Sequence, residues 1–176
     1  DRRHQPMNSH PITEQRVRRL DQHTEPANGE FVLYWMQQSQ REEANPALEL
    51  AIHRADELKL PVLVGFGLTD GYPEANLRHY HFMLEGLAEV RTALADRGIP
   101  MVVLRGDPAV VALRLAERAA EIVCDFGYTR GQKRWRRRVA REAPCPVWQV
   151  EGDVVVPLET ASDKAEYAAA TIRKKI

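Results

Sequence analysis

The sequence predicts an α/β fold: a five-stranded, doubly wound parallel sheet of Rossmann-like type with helices on both faces. Three observations predict it. Phe31–Met36, Pro61–Leu68, Pro100–Leu104, Glu121–Phe126 and Cys145–Val150 are short, largely apolar runs without clean alternation, as suits strands buried on both sides. Amphipathic stretches separate consecutive runs, and two of them open with a cap residue followed by proline, Asn45-Pro46 and Asp107-Pro108. The β-α alternation suits right-handed crossovers between parallel strands.

At 176 residues the chain is the size of one domain. Lysine plus arginine and aspartate plus glutamate both number 25, so no global field favours nucleic acid or membrane. There is no amino-terminal apolar leader and no run long enough to span a bilayer. Cys124 and Cys145 fall in apolar segments and read as buried, reduced thiols, an expectation of a cytoplasmic protein.

Taken in order, residues 1–29 read as an extended polar arm with a short helix over Glu14–Leu20; its histidines, His4, His10 and His23, are too scattered to predict a metal site. Residues 30–160 carry the sheet. The first helix is expected over Asn45–Lys59, with Leu48, Ala51, Ile52, Ala55 and Leu58 on one face. A long helix over Glu74–Arg97 follows the second strand, its apolar set being Leu77, Tyr80, Leu84, Leu87 and Leu94, with Gly98 as its stop. A helix from Asp107 to near Ala120 precedes the fourth strand, and Arg130–Arg141 follows it, anchored by Trp135 and Val139. Asp163 and Glu166 resemble a capping box for a last helix over residues 161–176, which stops without a C-cap as though the natural chain continued.

The motifs exclude several chemistries. The loop after the first strand has no glycine, so the dinucleotide fingerprint is missing where it would have to lie. There is no Walker lysine, nucleophile elbow or Cys-x-x-Cys. His79 and His81 stand two apart on a helix and so do not share a face; one is expected inward and one outward. What remains is a crevice at the exits of the first and fourth strands, lined by Met36, Gln37, Gln38, Arg41, Asp125, Phe126, Gly127, Tyr128 and Arg130. Without paired carboxylates or a nucleophile and base, it suits a planar heteroaromatic ligand better than a reaction. No residue is expected to be catalytic. The cluster Lys133, Arg134, Arg136, Arg137, Arg138 and Arg141 makes Arg136, Arg137 and Arg138 candidates for DNA contact.

Several motifs then carry a family resemblance. Tyr34-Trp35-Met36, Gln40-Arg41 and Asn45-x-Ala47-Leu48 resemble the start of the class II DNA photolyases. Arg78-x-Tyr80-x-Phe82-Met83-Leu84-x-Gly86-Leu87, Gly106-x-Pro108, Asp125 with Trp135, Val155-Val156-Pro157 and Ser162-x-Lys164-x-Glu166-Tyr167-Ala168-Ala169 continue it in order. The resemblance implies an amino-terminal antenna domain holding or facing a chromophore, commonly an 8-hydroxy-5-deazaflavin. It also implies FAD in a helical domain beyond this chain, damaged DNA as partner of the full-length protein, and light-driven splitting of cyclobutane pyrimidine dimers. Two other expectations stand beside it: a stand-alone nucleotide- or flavin-binding module, and a cryptochrome-like photoreceptor domain without repair activity.

Overall fold

The computed structural model describes residues 12–173 and 175; His4 and His10 lie outside them. The sheet has six strands: β1 (Val17–Arg19), β2 (Phe31–Trp35), β3 (Val62–Leu68), β4 (Met101–Arg105), β5 (Ala119–Asp125) and β6 (Val147–Val150). Their order is β1-β6-β5-β2-β3-β4. All pairings are parallel except β1 with β6, which is antiparallel. The five expected parallel strands thus form, and a sixth, antiparallel strand is added at their edge. Val17-Arg18-Arg19 is too short and too charged to read as a strand, and instead of the expected helix only a 3-10 turn, Glu14–Arg16, precedes it.

Asp21 fastens this added edge. Its carboxylate accepts from Arg19 Nε at 2.9 Å, the His23 amide at 2.7 Å and the Val147 amide at 2.5 Å. On the inner side of the same edge Glu121, 1% exposed, takes both nitrogens of the Arg54 fork and the Trp148 indole N–H. Arg19 and Arg54 lie 4.7 and 5.4 Å from the Trp148 ring centroid.

Alternate residues of the central strand feed two cores, as strand geometry requires. Val32, Tyr34 and Met36 pack with α1 (Pro46–Leu58) and α2 (Leu77–Asp96). Leu33 and Trp35 pack with α3 (Pro108–Ala116) and α4 (Arg130–Glu142). The cap-plus-proline starts form as expected: the Asn45 side chain accepts from the Leu48 amide, and that of Asp107 from Ala109 and Val110. The α3 helix ends at Ala116, so Ala119 and Ala120 open β5 instead of closing the helix.

Two expectations change on α2. Only Leu87, Val90 and Leu94 are buried; Leu77 is 84% exposed, and Leu84 also stands in solvent. The first turns overhang the ends of β3 and β4, where there is no sheet to cover. His79 and His81 are both exposed, and the His79 ring accepts from the Asn76 amide in a capping box. Among the described residues the expected helix over 161–176 does not form as one continuous element. Single turns α5 (Leu158–Ala161) and α6 (Ala169–Ile172) flank an irregular stretch where the Ser162 hydroxyl donates to Glu166 instead of capping, and Ala168 offers no side-chain cap.

Gly65 and Gly67 face α3. A Cβ on Gly67 would stand 2.6 Å from Pro108 Cα, so these glycines let a helix approach and build no phosphate cradle. Gly67→Ala is expected to lower unfolding free energy by about 1–3 kcal/mol through overpacking. Gly131→Ala, in open space on α4, should raise it by about 0.5–1 kcal/mol. Urea titrations of the two variants check this. A second outcome concerns pH. Burial pushes the Asp21 carboxyl up, but Arg19 and the Val147 and His23 amides outweigh it and hold the group below its ordinary value. Its contribution is therefore complete above the unfolded value of about 3.9 and disappears as pH falls through the lower folded value. Asp21→Asn should flatten that acid limb of the stability profile.

Candidate functional site

The direction of winding reverses between β2 and β5, so the topological switch point lies at their carboxyl ends. The structure fills that point with its own groups. Asp125, 7% exposed, accepts through one oxygen from the amides of Gln37, Gln38 and Ser39 at 3.0, 2.8 and 3.1 Å. Its other oxygen accepts from the Tyr34 hydroxyl at 2.8 Å. Asn45 Nδ2 donates to the Tyr34 oxygen at 3.0 Å, to the Ser39 carbonyl at 3.1 Å and to the Arg41 carbonyl at 2.8 Å. Ser39 Oγ and Arg41 both reach Asp153, at 2.8 and 3.0 Å.

Burial pushes the Asp125 carboxyl above its ordinary value, against the pull of the three amides and the phenol. Burial, followed by the Asp125 charge, drives the Tyr34 phenol well above its own. One Asp125 oxygen serves the three amides and the other the phenol, and Tyr34 keeps its proton at any ordinary pH. This pair shapes the loop after β2.

Room for a ligand lies one strand over. A cavity of about 210 Å³ sits between the loop after β2, the end of β3, the overhanging turns of α2 and the side of α4. Tyr80, Met83, Phe66, Tyr72 and Trp135 supply apolar and aromatic wall, and Gln37, Gln38, Gln40 and Gln132 supply amides. Tyr80 is fixed by donating to the Thr69 carbonyl at 2.8 Å, and Trp135 by donating to Asp107 at 3.1 Å. The Tyr72 and Trp135 rings stand 6.3 Å apart, tilted by 52°. Gln37 is held between the Trp35 indole N–H and the Gly67 backbone, and the amides of Gln38 and Gln132 are hydrogen-bonded to each other.

Of the residues expected at a crevice, Gln37 and Gln38 line this cavity. Met36 is fully buried in the core, and Arg41 is spent on Asp153. Phe126 packs against Tyr128 at 5.0 Å and under Arg136 at 4.9 Å. Gly127 lies beneath the Gln132 side chain. The Tyr128 hydroxyl donates to Glu151 at 3.3 Å, and burial with that carboxylate pushes its phenol up. Arg130 is exposed at the start of α4. Tyr72, His79, Tyr80, Met83 and Trp135 went unanticipated. The turn residues after β3 were a signal for them, since that loop also leaves the carboxyl edge of the sheet. Among the described residues no three His, Cys, Asp or Glu side chains come together as a metal site.

The chain is thus a doubly wound α/β domain with an aromatic, amide-lined cavity at the carboxyl edge of its sheet. Residues 32–176 match the family described as DNA photolyase, and the chain belongs to that family. It is similar to the deoxyribodipyrimidine photo-lyase of Methanothermobacter thermautotrophicus, with 48% identity over 165 residues, covering 94% of this chain and 37% of that protein. The photo-lyase of Potorous tridactylus is 38% identical over 171 residues, covering 94% of this chain and 32% of its own length. The chain thus spans about a third of these relatives. A universal stress protein solved in complex with cAMP superposes with a TM-score of 0.51 over 70% of this chain and 98% of its own. At 14% identity that likeness shows the fold alone.

Tyr34→Phe removes one donor to Asp125 and one acceptor for Asn45, and is expected to cost about 1–3 kcal/mol. Asp125→Ala leaves three buried amides without an acceptor and should cost more. Hydrogen exchange at the Gln37, Gln38 and Ser39 amides reads the effect directly: protection should fall in both variants, further in the second.

Proposed function

We propose that this chain is the amino-terminal antenna domain of a light-driven deoxyribodipyrimidine photolyase, an enzyme that splits cyclobutane pyrimidine dimers in damaged DNA. Residues 30–160 form the antenna domain, 1–29 lead into it, and 161–176 run toward a helical domain that holds FAD. The observation that carries the reading is the cavity beneath α2, considered together with the names of the relatives. A planar chromophore of the 8-hydroxy-5-deazaflavin kind matches its chemistry. Tyr80, Met83, Phe66 and Trp135 would cover the ring faces, and the Gln38, Gln40 and Gln132 amides would meet the polar edge. When bound, that group supplies absorption of light whose energy passes to the flavin. This chain's own residues bind and orient it, and the Asp125 hub keeps the β2 loop from closing over the cavity.

No residue here is assigned to bond cleavage. The Asp125 carboxylate is engaged by four donors of its own chain, and the phenols of Tyr34 and Tyr128 are held protonated. A cytoplasmic location fits the two free cysteines, both buried, with Cys124 and Cys145 thiols each pushed up to about 12 by burial. No described helix is long and apolar enough to cross a membrane.

The test uses the full-length natural protein reconstituted with FAD and the deazaflavin. Met83→Trp fills the cavity and should abolish the chromophore's absorption band, reducing repair at that wavelength to the flavin-only level. An unaltered band would remove the cavity from the reading, while absence of dimer repair by the unmodified protein under blue light would remove the lyase.

A further inference from the structure

A second, larger cavity of about 510 Å³ opens where α4 crosses β1 and β6, and it shares no residue with the cavity beneath α2. Five cationic side chains and one carboxylate line it. Lys133, Arg137 and Arg141 repeat every four residues, so one face of α4 carries all three. Arg18 on β1 forms the opposite wall and pairs with Glu159, the lone carboxylate, at 2.7 Å.

The arginines expected to contact DNA do not act as a unit. Arg138 turns away to Glu142 at 3.0 Å and Asp107 at 3.8 Å. Arg136 borders the groove but is committed, donating to the Gly127 carbonyl at 2.9 Å and lying over Phe126. Arg137 is exposed on the groove, and among the described residues neither it nor Lys133 has a carboxylate partner. Arg141 shares Glu142 with Arg138.

The floor supplies an independent observation. Gln149 is 5% exposed and lines the groove from the centre of β6. Its side-chain amide has no hydrogen-bond partner among the described residues. Since no fully enclosed side-chain polar atom there lacks a partner, this amide opens on the groove. A glutamine buried this far normally satisfies its amide within the protein, and here the NH₂ is left free to donate to a ligand in the groove. Cations on one wall and an unpaired NH₂ on the floor converge on one ligand chemistry, a group with several strongly accepting anionic oxygens.

We propose that this groove is a phosphate site, in which Lys133, Arg137 and Arg141 neutralise a nucleotide phosphate and the Gln149 amide donates to it. The phosphate belongs to a free nucleotide or to a nucleic-acid strand, and the site is independent of the chromophore cavity.

Titration calorimetry on the intact natural protein at low salt, with pyrophosphate and with single-stranded oligothymidylate as probes, tests this. Arg137→Gln and Gln149→Leu should each weaken binding about tenfold. Arg91→Gln, which removes the same charge from α2 on the opposite face of the sheet, and Met83→Trp should leave it unchanged. Gln149→Glu keeps the side-chain shape while placing a carboxylate on the floor, and should abolish binding. Oligonucleotide that displaces pyrophosphate with the same variant dependence assigns a strand phosphate. Pyrophosphate binding without such competition assigns a free one, and either result supports the site. No binding of either probe, indifference to both Gln149 variants, or an equal loss from Arg91→Gln would overturn it in favour of a diffuse positive field.

Discussion

One carboxylate organises the functional edge of this domain. The loop after β2 is polar and would have to place several backbone amides near the centre of a parallel sheet, where unpaired donors are costly. Asp125, arriving from the neighbouring strand, accepts three of them and ties the loop through Tyr34 and Asn45 to the start of α1. Gln37 and Gln38 then point at the end of β3 and at α4, which sets one wall of the cavity. The switch point itself is almost filled by protein, with a pocket of about 10 Å³ left there, and the larger open volume is displaced toward α2.

The parallel core was legible because its signal is local. Apolar runs buried on both faces need no partner to be recognised, and Asn45-Pro46 and Asp107-Pro108 mark helix starts by backbone chemistry alone. What was not legible depends on contacts distant in sequence. Val17-Arg18-Arg19 becomes a strand only because β6 offers an edge and Asp21 reaches the Val147 amide. The apolar period of α2 is genuine, but its first turns pass beyond the sheet, so periodicity overstated how much of the helix is core. The site was half legible for the same reason. Strand exits pointed to Gln37 and Gln38, whereas the overhang that brings Tyr80 and Met83 over them is a tertiary fact.

Helix α4 shows how one amphipathic element serves different tasks around its circumference. Val139 is buried in the core, and Trp135 lines the cavity beneath α2. Arg138 holds the neighbouring helix through Asp107, and Lys133, Arg136, Arg137 and Arg141 border a separate groove. A dense basic run in sequence is therefore not a single surface. Its charges are distributed by the helical repeat among pairing, packing and open solvent.

The edge of the sheet has a mechanical consequence. Trp148 has the guanidinium groups of Arg19 and Arg54 over its ring, with its indole N–H directed at the buried Glu121. Each cation is itself paired, Arg19 with Asp21 and Arg54 with Glu121 and Glu57, so the ring packs against ion pairs. One side chain of β6 thereby couples the added strand β1 to helix α1, and a slip of that edge by one residue would break these contacts together.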